Sequence, residues 1–338
     1  MSNGTTENPV KKTSAIDVHN HFYSPAYLKE LKTGSYVTKV TEDAEGNSII
    51  AYEGDYNIYS PDHRDIEARL AELDRVGIQT QMLSLTTPGV HIEDKARGLH
   101  LAQATNEDFA DITKRFPGRF YGLAALPLQD PEASAQELKR SVKELGLKGG
   151  TLFTNINGKT LDDPSFQCVF ETAKALDVPL FIHPTTPNPA DAFLPYRLSA
   201  LVGFNVDTTL TFAKFIFGGL FDRIPGLKLI ASHLGGCLPY LGERLDRGYY
   251  AYTECQKVSK LPSDYIKDHI YIDCVSFEPL AVEFALKFMG TDKLMVGSDY
   301  PHQIGDTEKC TWVISELNAS EEEKNKIFHL NAEKLFKL

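Results

Sequence analysis

Short apolar runs alternate with helix-period segments along this chain, and that alternation constrains its fold more than any other feature. Over 65–76 the apolar residues Ile66, Leu70, Leu73 and Val76 recur at the helical period, and Gly77 stops the run. A strand-like run over 80–85 follows, closed by Thr86-Thr87-Pro88-Gly89. The unit then repeats, with strands expected over 120–128, 148–154, 179–183, 227–233, 271–277 and 294–298. Helices are expected over 94–115, 131–145, 164–176, 208–221, 239–253, 279–289 and 321–336. With a first strand beginning at 14, this predicts eight strands, each followed by helix. Runs such as Pro179-Leu180-Phe181-Ile182 suit parallel strands covered on both faces. Eight βα units are the signature of an α/β fold of the (β/α)8 TIM barrel type. A doubly wound sheet is the alternative, but it usually carries a Gly-x-Gly-x-x-Gly turn after its first strand. Here that place is taken by His19-Asn20-His21.

Barrels of about this size are routinely one domain, so 14–338 reads as one despite a length of 338 residues. Residues 1–13 are polar, lack the apolar core of a signal peptide and read as a disordered tail. Ser24-Pro25 opens a short helix. The segment 37–59 holds two β-prone runs about Ala44-Glu45-Gly46-Asn47, a small β-hairpin insertion after strand one, placed where insertions line active sites. The net charge of −11 argues against nucleic-acid partners or an anionic membrane surface. It leaves room for a small carboxylate substrate, because a metal or a few cations can dominate a pocket. No uninterrupted run of 18 apolar residues occurs, so no transmembrane helix is expected. Five scattered cysteines without Cys-x-x-Cys spacing read as reduced thiols of a cytoplasmic protein.

The carboxyl ends of barrel strands form the active face. Strand one ends in His19 and His21, which point the same way because strand side chains alternate. Strand five ends in His183, strand six in His233 and strand eight in Asp299. Four histidines and one aspartate thus meet at one mouth. Nitrogen and carboxylate ligands suit zinc, manganese or iron, and one divalent ion, zinc before manganese, is the expected cofactor. His19, His21, His183 and Asp299 would hold it, with a position left open for water or substrate. His233 would then be free for acid/base work. His302 follows Asp299 closely and could touch substrate. His63, His91, His100, His269 and His329 read as surface or structural residues, and Trp312 as core.

The chain resembles the metal-dependent amidohydrolase superfamily (amidohydrolase-related family 2). Within it, the similarity is to the branch containing 2-amino-3-carboxymuconate-6-semialdehyde decarboxylase and the γ-resorcylate, isoorotate and related aromatic-acid decarboxylases. Asp17-Val18-His19-Asn20-His21, Gly122-Leu123-Ala124-Ala125-Leu126-Pro127-Leu128-Gln129, Phe181-Ile182-His183-Pro184, Ser232-His233-Leu234-Gly235-Gly236 and Gly297-Ser298-Asp299-Tyr300-Pro301 carry the resemblance. It implies His19, His21, His183 and Asp299 as metal ligands and His233 as the catalytic histidine, with Asp299 sharing the proton chemistry. It implies substrate-binding arginines at Arg69, in the first barrel helix, and at Arg244, after the Gly-Gly turn, the latter reaching a neighbouring subunit of a homodimer. Arg247 lies one turn from Arg244 and could take its place. Hydrolytic branches carry a lysine at the end of strand four. Here that strand ends Gly150-Thr151-Leu152-Phe153-Thr154, which favours a single metal. The function implied is metal-dependent, non-oxidative decarboxylation of a small aromatic or unsaturated carboxylic acid. The alternative is metal-dependent hydrolysis of an amide, lactone or ester on the same ligands.

Overall fold

The structure, a computed structural model, describes residues 14–44, 48–52 and 55–338; the tail expected over 1–13 lies outside them. Strand β1 (Ala15–His21) pairs in parallel with β2 (Ile78–Ser84). β2 pairs with β3, which runs as Phe120–Gly122 and then Ala124–Ala125. β4 (Gly150–Phe153), β5 (Leu180–His183), β6 (Leu229–Ala231), β7 (Ile270–Asp273) and β8 (Leu294–Met295) follow in ladder order. Parallel bridges Asp17–Val296 and Asn20–Tyr300 join the two edges, and Val18 N donates to Val296 O at 2.9 Å. The eight strands therefore close into the (β/α)8 barrel. Closure removes every sheet edge and buries both faces of each strand, as the uniformly apolar runs require.

Ile16, Val18, Met82, Leu123, Phe181, Ile230 and Met295 fill the interior, and Ala332, Leu335 and Phe336 of the last helix (Asn331–Phe336) seat against them. The lower end of the barrel is thus plugged with hydrocarbon, leaving polar chemistry to the strands' carboxyl ends. The surrounding helices start where capping residues allow. Asp65 accepts from Glu67 N and Ala68 N to open Ile66–Val76, and left-handed Gly77 ends that helix. Asp94 and Asp130 open Lys95–Arg115 and Pro131–Lys143 in the same way.

Three features differ from the sequence reading. The insertion is an antiparallel sheet of three strands, Lys39–Glu42, Ser48–Tyr52 and Asp55–Tyr59, rather than a two-stranded hairpin. Ile50 and Tyr59 bury one face of it against Tyr23, Tyr27 and Leu31, and Asn57 Nδ2 donates to Thr87 O at 2.7 Å, tying it to the exit of β2. Helices Pro262–His269 and Lys309–Ser315 occupy stretches to which the sequence reading assigned no element, and Trp312 is half-exposed on the second of them instead of in the core. The helical run Pro195–Phe217 is also long and apolar enough, by length and composition, to cross a membrane. Its polar interruptions hid it from a count of consecutive apolar residues. Its inner face is packed: Thr208, Phe212, Phe215 and Ile216 are buried, and Asp207 accepts from Thr154 Oγ1 and, at 3.2 Å, from Asn155 Nδ2.

Arg69 lies fully buried beneath the upper rim. Its guanidinium donates to Asn20 Oδ1 at 3.0 Å, Gln81 Oε1 at 2.9 Å, Asp62 O at 3.1 Å and the carbonyl of His21. It also lies between the rings of Tyr300 (4.8 Å) and Phe22 (5.3 Å). Burial pulls it down to about 10, still charged at neutral pH. These bonds tie the end of β1 to β2 and to the turn before the first barrel helix. Arg69→Leu should therefore leave four acceptors unpaired, three of them buried, and destabilise the fold by about 3 kcal/mol or more; thermal unfolding measures it.

Candidate metal centre

His19 and His21 leave β1 on one side of the barrel mouth, His183 leaves β5 opposite, and Asp299 follows β8. One ligand atom from each of these four buried residues lies within 4.8 Å of the others. His21 Nε2 is 3.1 Å and His19 Nε2 3.3 Å from Asp299 Oδ1.

The tautomers are set from behind. His19 Nδ1 donates to Asp273 Oδ2 at 2.6 Å, and His183 Nδ1 donates to Pro184 O at 2.7 Å. Ser84 Oγ gives its proton to Asn20 O at 2.7 Å, so its lone pairs are available to His21 Nδ1 at 3.3 Å. A donor at Nδ1 leaves a bare lone pair at Nε2. The Nε2 atoms of His19 and His183 are buried with no hydrogen-bond partner, an arrangement that costs free energy unless a cation sits among them. The residues present therefore fit one divalent ion. At the end of β4, the site that a bridging lysine would take presents Phe153 and Thr154.

Charge tells the same story. Burial drives His21 and His183 well below their ordinary values, so both are neutral. Burial also opposes charge on His19, but the carboxylates of Asp273 and Asp299 prevail and raise it to about 10. Burial pushes Asp299 upward, yet its bonds with His19, His21 and His233 outweigh that and hold its carboxyl well below the usual range. The two carboxylates call for positive charge at this point, and a proton on His19 or a metal ion can supply it.

Asp273, at the end of β7, escaped the sequence reading. Besides His19 it accepts from His233 N at 3.1 Å, Leu234 N at 3.0 Å and Val275 N at 2.9 Å. His233 and Leu234 sit at φ 53° and 58°, left-handed positions that β-carbon-bearing residues adopt only when held there. Asp273 does the holding, and Gly297 makes room for it: a Cβ there would come within 2.8 Å of the Asp273 Cβ and 2.9 Å of the His19 Cβ. A lone acid closing a strand has no motif, and only its position on a neighbouring barrel strand could have flagged it.

A cavity of about 220 Å3 opens above the centre. His183, His233, Asp299 and His302 line its inner end; Tyr56 and Asn57 of the insertion and Phe204 line its walls. His233 Nε2 stands 3.8 Å from Asp299 Oδ2. His302 Nε2 meets Thr86 Oγ1 at 3.0 Å, with its ring 4.7 Å from that of His21. Within the single chain, neither of the two arginines implied by resemblance lines the cavity. Arg69 is engaged below the rim by its carbonyl and amide acceptors. Arg244 is exposed on helix Leu238–Ala251, outside the cavity lining, as is Arg247. His63 and His91 are buried, and burial lowers them to about 2 and about 4.

A closed parallel barrel with a three-histidine, one-aspartate centre at its mouth defines a metal-dependent enzyme of the barrel class. The amidohydrolase family model matches residues 16–338, and the chain belongs to that family. It is 36% identical over 284 residues to 2-amino-3-carboxymuconate-6-semialdehyde decarboxylase of Dictyostelium discoideum, covering 83% of this chain and 77% of that one. The fold matches the crystal structure of 5-carboxyvanillate decarboxylase from Sphingomonas paucimobilis with a TM-score of 0.84 and 26% identity over 96% and 99% of the two chains. It also matches dihydroxybenzoic acid decarboxylase from Polaromonas sp. JS666, solved with manganese and 2-nitroresorcinol, with a TM-score of 0.80 and 28% identity over 96% and 97%.

Two measurements check the centre. Titration should load one divalent ion per chain, and Asp273→Asn should weaken binding about 10- to 100-fold while keeping the ligands. Because His19 is protonated below about 10 while the other histidine ligands are neutral, loading should release about one proton near neutral pH. Affinity should accordingly rise about tenfold per pH unit from 7 to 9; calorimetry in buffers of different ionisation enthalpy reads both.

Proposed function

We propose that this protein is a metal-dependent, non-oxidative decarboxylase of a small aromatic or unsaturated carboxylic acid. The observation that carries the reading is the convergence of three tautomer-locked Nε2 atoms and one carboxylate at the closed end of a cavity wide enough for one ring. A cavity of ~150 Å3 accepts benzene, so about 220 Å3 accommodates a substituted one. The names of the relatives support the same chemistry.

His19, His21, His183 and Asp299 would hold the ion, which supplies Lewis-acid polarisation and a fixed point for the substrate carboxylate or a neighbouring oxygen. The chain's own part is to move one proton onto the carbon that bears the carboxylate. Protonation interrupts conjugation, the C–CO2 electron pair returns to the ring, and CO2 leaves. Asp299 is held as a carboxylate by three imidazoles, so His233, 3.8 Å from it, is the group that delivers the proton, with Asp299 steadying the imidazolium.

Zinc before manganese, the homodimer and a cytoplasmic location belong to this reading. The ligand set admits both metals. The exposed apolar side chains Leu201, Val202, Val206 and Leu210 on the outer face of the Pro195–Phe217 run support a second copy.

Metal-loaded protein should release CO2 from at least one of a panel of hydroxybenzoates, carboxyvanillate, isoorotate and carboxymuconate semialdehyde. Ring opening or hydrolysis of an ester, lactone or amide with no CO2 would replace this reading with the hydrolytic one. His233→Asn should lower kcat about 100-fold or more with metal content unchanged; retained activity would remove His233 from the mechanism.

A further inference from the structure

Asn57, on the last strand of the insertion, carries an amide that neither the motifs nor the family resemblance singles out. Its nitrogen is spent on the exit of β2. Nδ2 meets Thr87 O at 2.7 Å, Thr87 Oγ1 at 2.9 Å and Tyr23 Oη at 3.2 Å. Thr87 O is an acceptor only, and Tyr23 gives it its own proton at 2.6 Å, so the nitrogen is the end of the amide that must face this group. The carbonyl oxygen Oδ1 is thereby left on the other edge. Among the described residues nothing donates to it, and it keeps access to solvent. Asn57 is half-buried and lines the cavity, so Oδ1 is an acceptor open to what the cavity holds.

Thr87 supplies the complement. Its hydroxyl accepts from Asn57 Nδ2, and among the described residues nothing takes its proton. Thr87 lines the cavity as well. Thr86, just before it, meets His302 Nε2 at 3.0 Å through Oγ1, which sets the pair beside the metal end. One wall therefore offers an acceptor and a donor side by side, next to apolar lining such as Ile58 and Phe204. Few polar groups on a mostly apolar wall are what fix a ligand's orientation. A hydroxyl both gives and takes a hydrogen bond and so satisfies the two together. A methyl group does neither, and a carboxylate brings only lone pairs against Oδ1.

We propose that Asn57 and Thr87 are specificity-determining residues that select an acid bearing a hydroxyl group away from the carboxylate that meets the metal. The hydroxyl donates to Asn57 Oδ1 and accepts from Thr87 Oγ1. This inference rests on the cavity being the substrate site, and its test reads binding, so it stands apart from the release of CO2.

The probes are 3- and 4-hydroxybenzoate and the 3- and 4-methylbenzoates, which match them in size, titrated calorimetrically into manganese-loaded protein. At one of the two ring positions the hydroxyl compound should bind at least about fivefold more tightly than its methyl counterpart, the size of one neutral hydrogen bond. Burial of apolar surface alone would favour the methyl compound, so the direction of the preference is diagnostic. In Asn57→Leu the ratio should fall to about one or below. In Thr87→Val, which keeps the shape of the wall, it should fall at least about twofold. On any acid that turns over, either variant should raise KM for a hydroxylated substrate more than for its methyl counterpart. A parent protein that binds the methyl compounds as tightly at both positions overturns the proposal. So does a parallel loss for both compounds in the variants, the result of a purely structural role. If Asn57→Leu does not fold, the parent ratio and Thr87→Val decide. A hydroxyl preference that depends on the pair, with no CO2 from any acid, would retire the decarboxylation reading alone. CO2 release without that preference would retire the assignment of Asn57 and Thr87 alone.

Discussion

Much of the site hangs on the Asp273 carboxylate. One of its oxygens fixes the tautomer of His19, and the pair together pin the backbone amides of His233, Leu234 and Val275. The same group therefore aims a metal ligand and holds the candidate proton donor in a left-handed turn that its own residues would not choose. An anion buried this deeply is tolerable because its lone pairs are nearly all taken and because it faces a centre that demands positive charge. Coupling ligand and donor through one carboxylate keeps their separation constant, the condition under which proton transfer to a bound ring is efficient.

Asp17 and Arg69 perform the corresponding task on the other side of the mouth. Asp17 accepts from Gln81 Nε2 at 2.7 Å, Ser298 Oγ at 2.6 Å and the amides of His19 and Ser298 at 3.1 Å, binding β1 to β2 and to the exit of β8. Arg69 gathers the acceptors just above. Two buried polar side chains thus tie β1, the strand that carries two of the four ligands, to its neighbours. Arg69, one of the two arginines that resemblance would place on the substrate, is engaged here by backbone and side-chain acceptors.

The barrel and its ligands were legible in the sequence because both rest on short-range rules. Alternation places His19 and His21 together, and apolar runs ending in His183, His233 and Asp299 mark carboxyl ends of buried strands. What escaped depends on long-range packing. Asp273 is one acid among many until β7 is set between β6 and β8. Arg69 looks like a surface helix residue until the mouth closes above it. Trp312 looked like core because its helix was unread, and the third strand of the insertion only gains meaning once Ile50 and Tyr59 pack on Tyr23 and Tyr27.

The central claim is that four side chains from three strands surround one catalytic ion. A crystal of the protein soaked in manganese, with anomalous differences measured, tests it most directly. The account predicts one strong peak about 2.1 Å from Nε2 of His19, His21 and His183 and bonded to an Asp299 carboxylate oxygen. A peak on other residues, a second peak of equal strength beside the first, or none at all at saturating metal would contradict it.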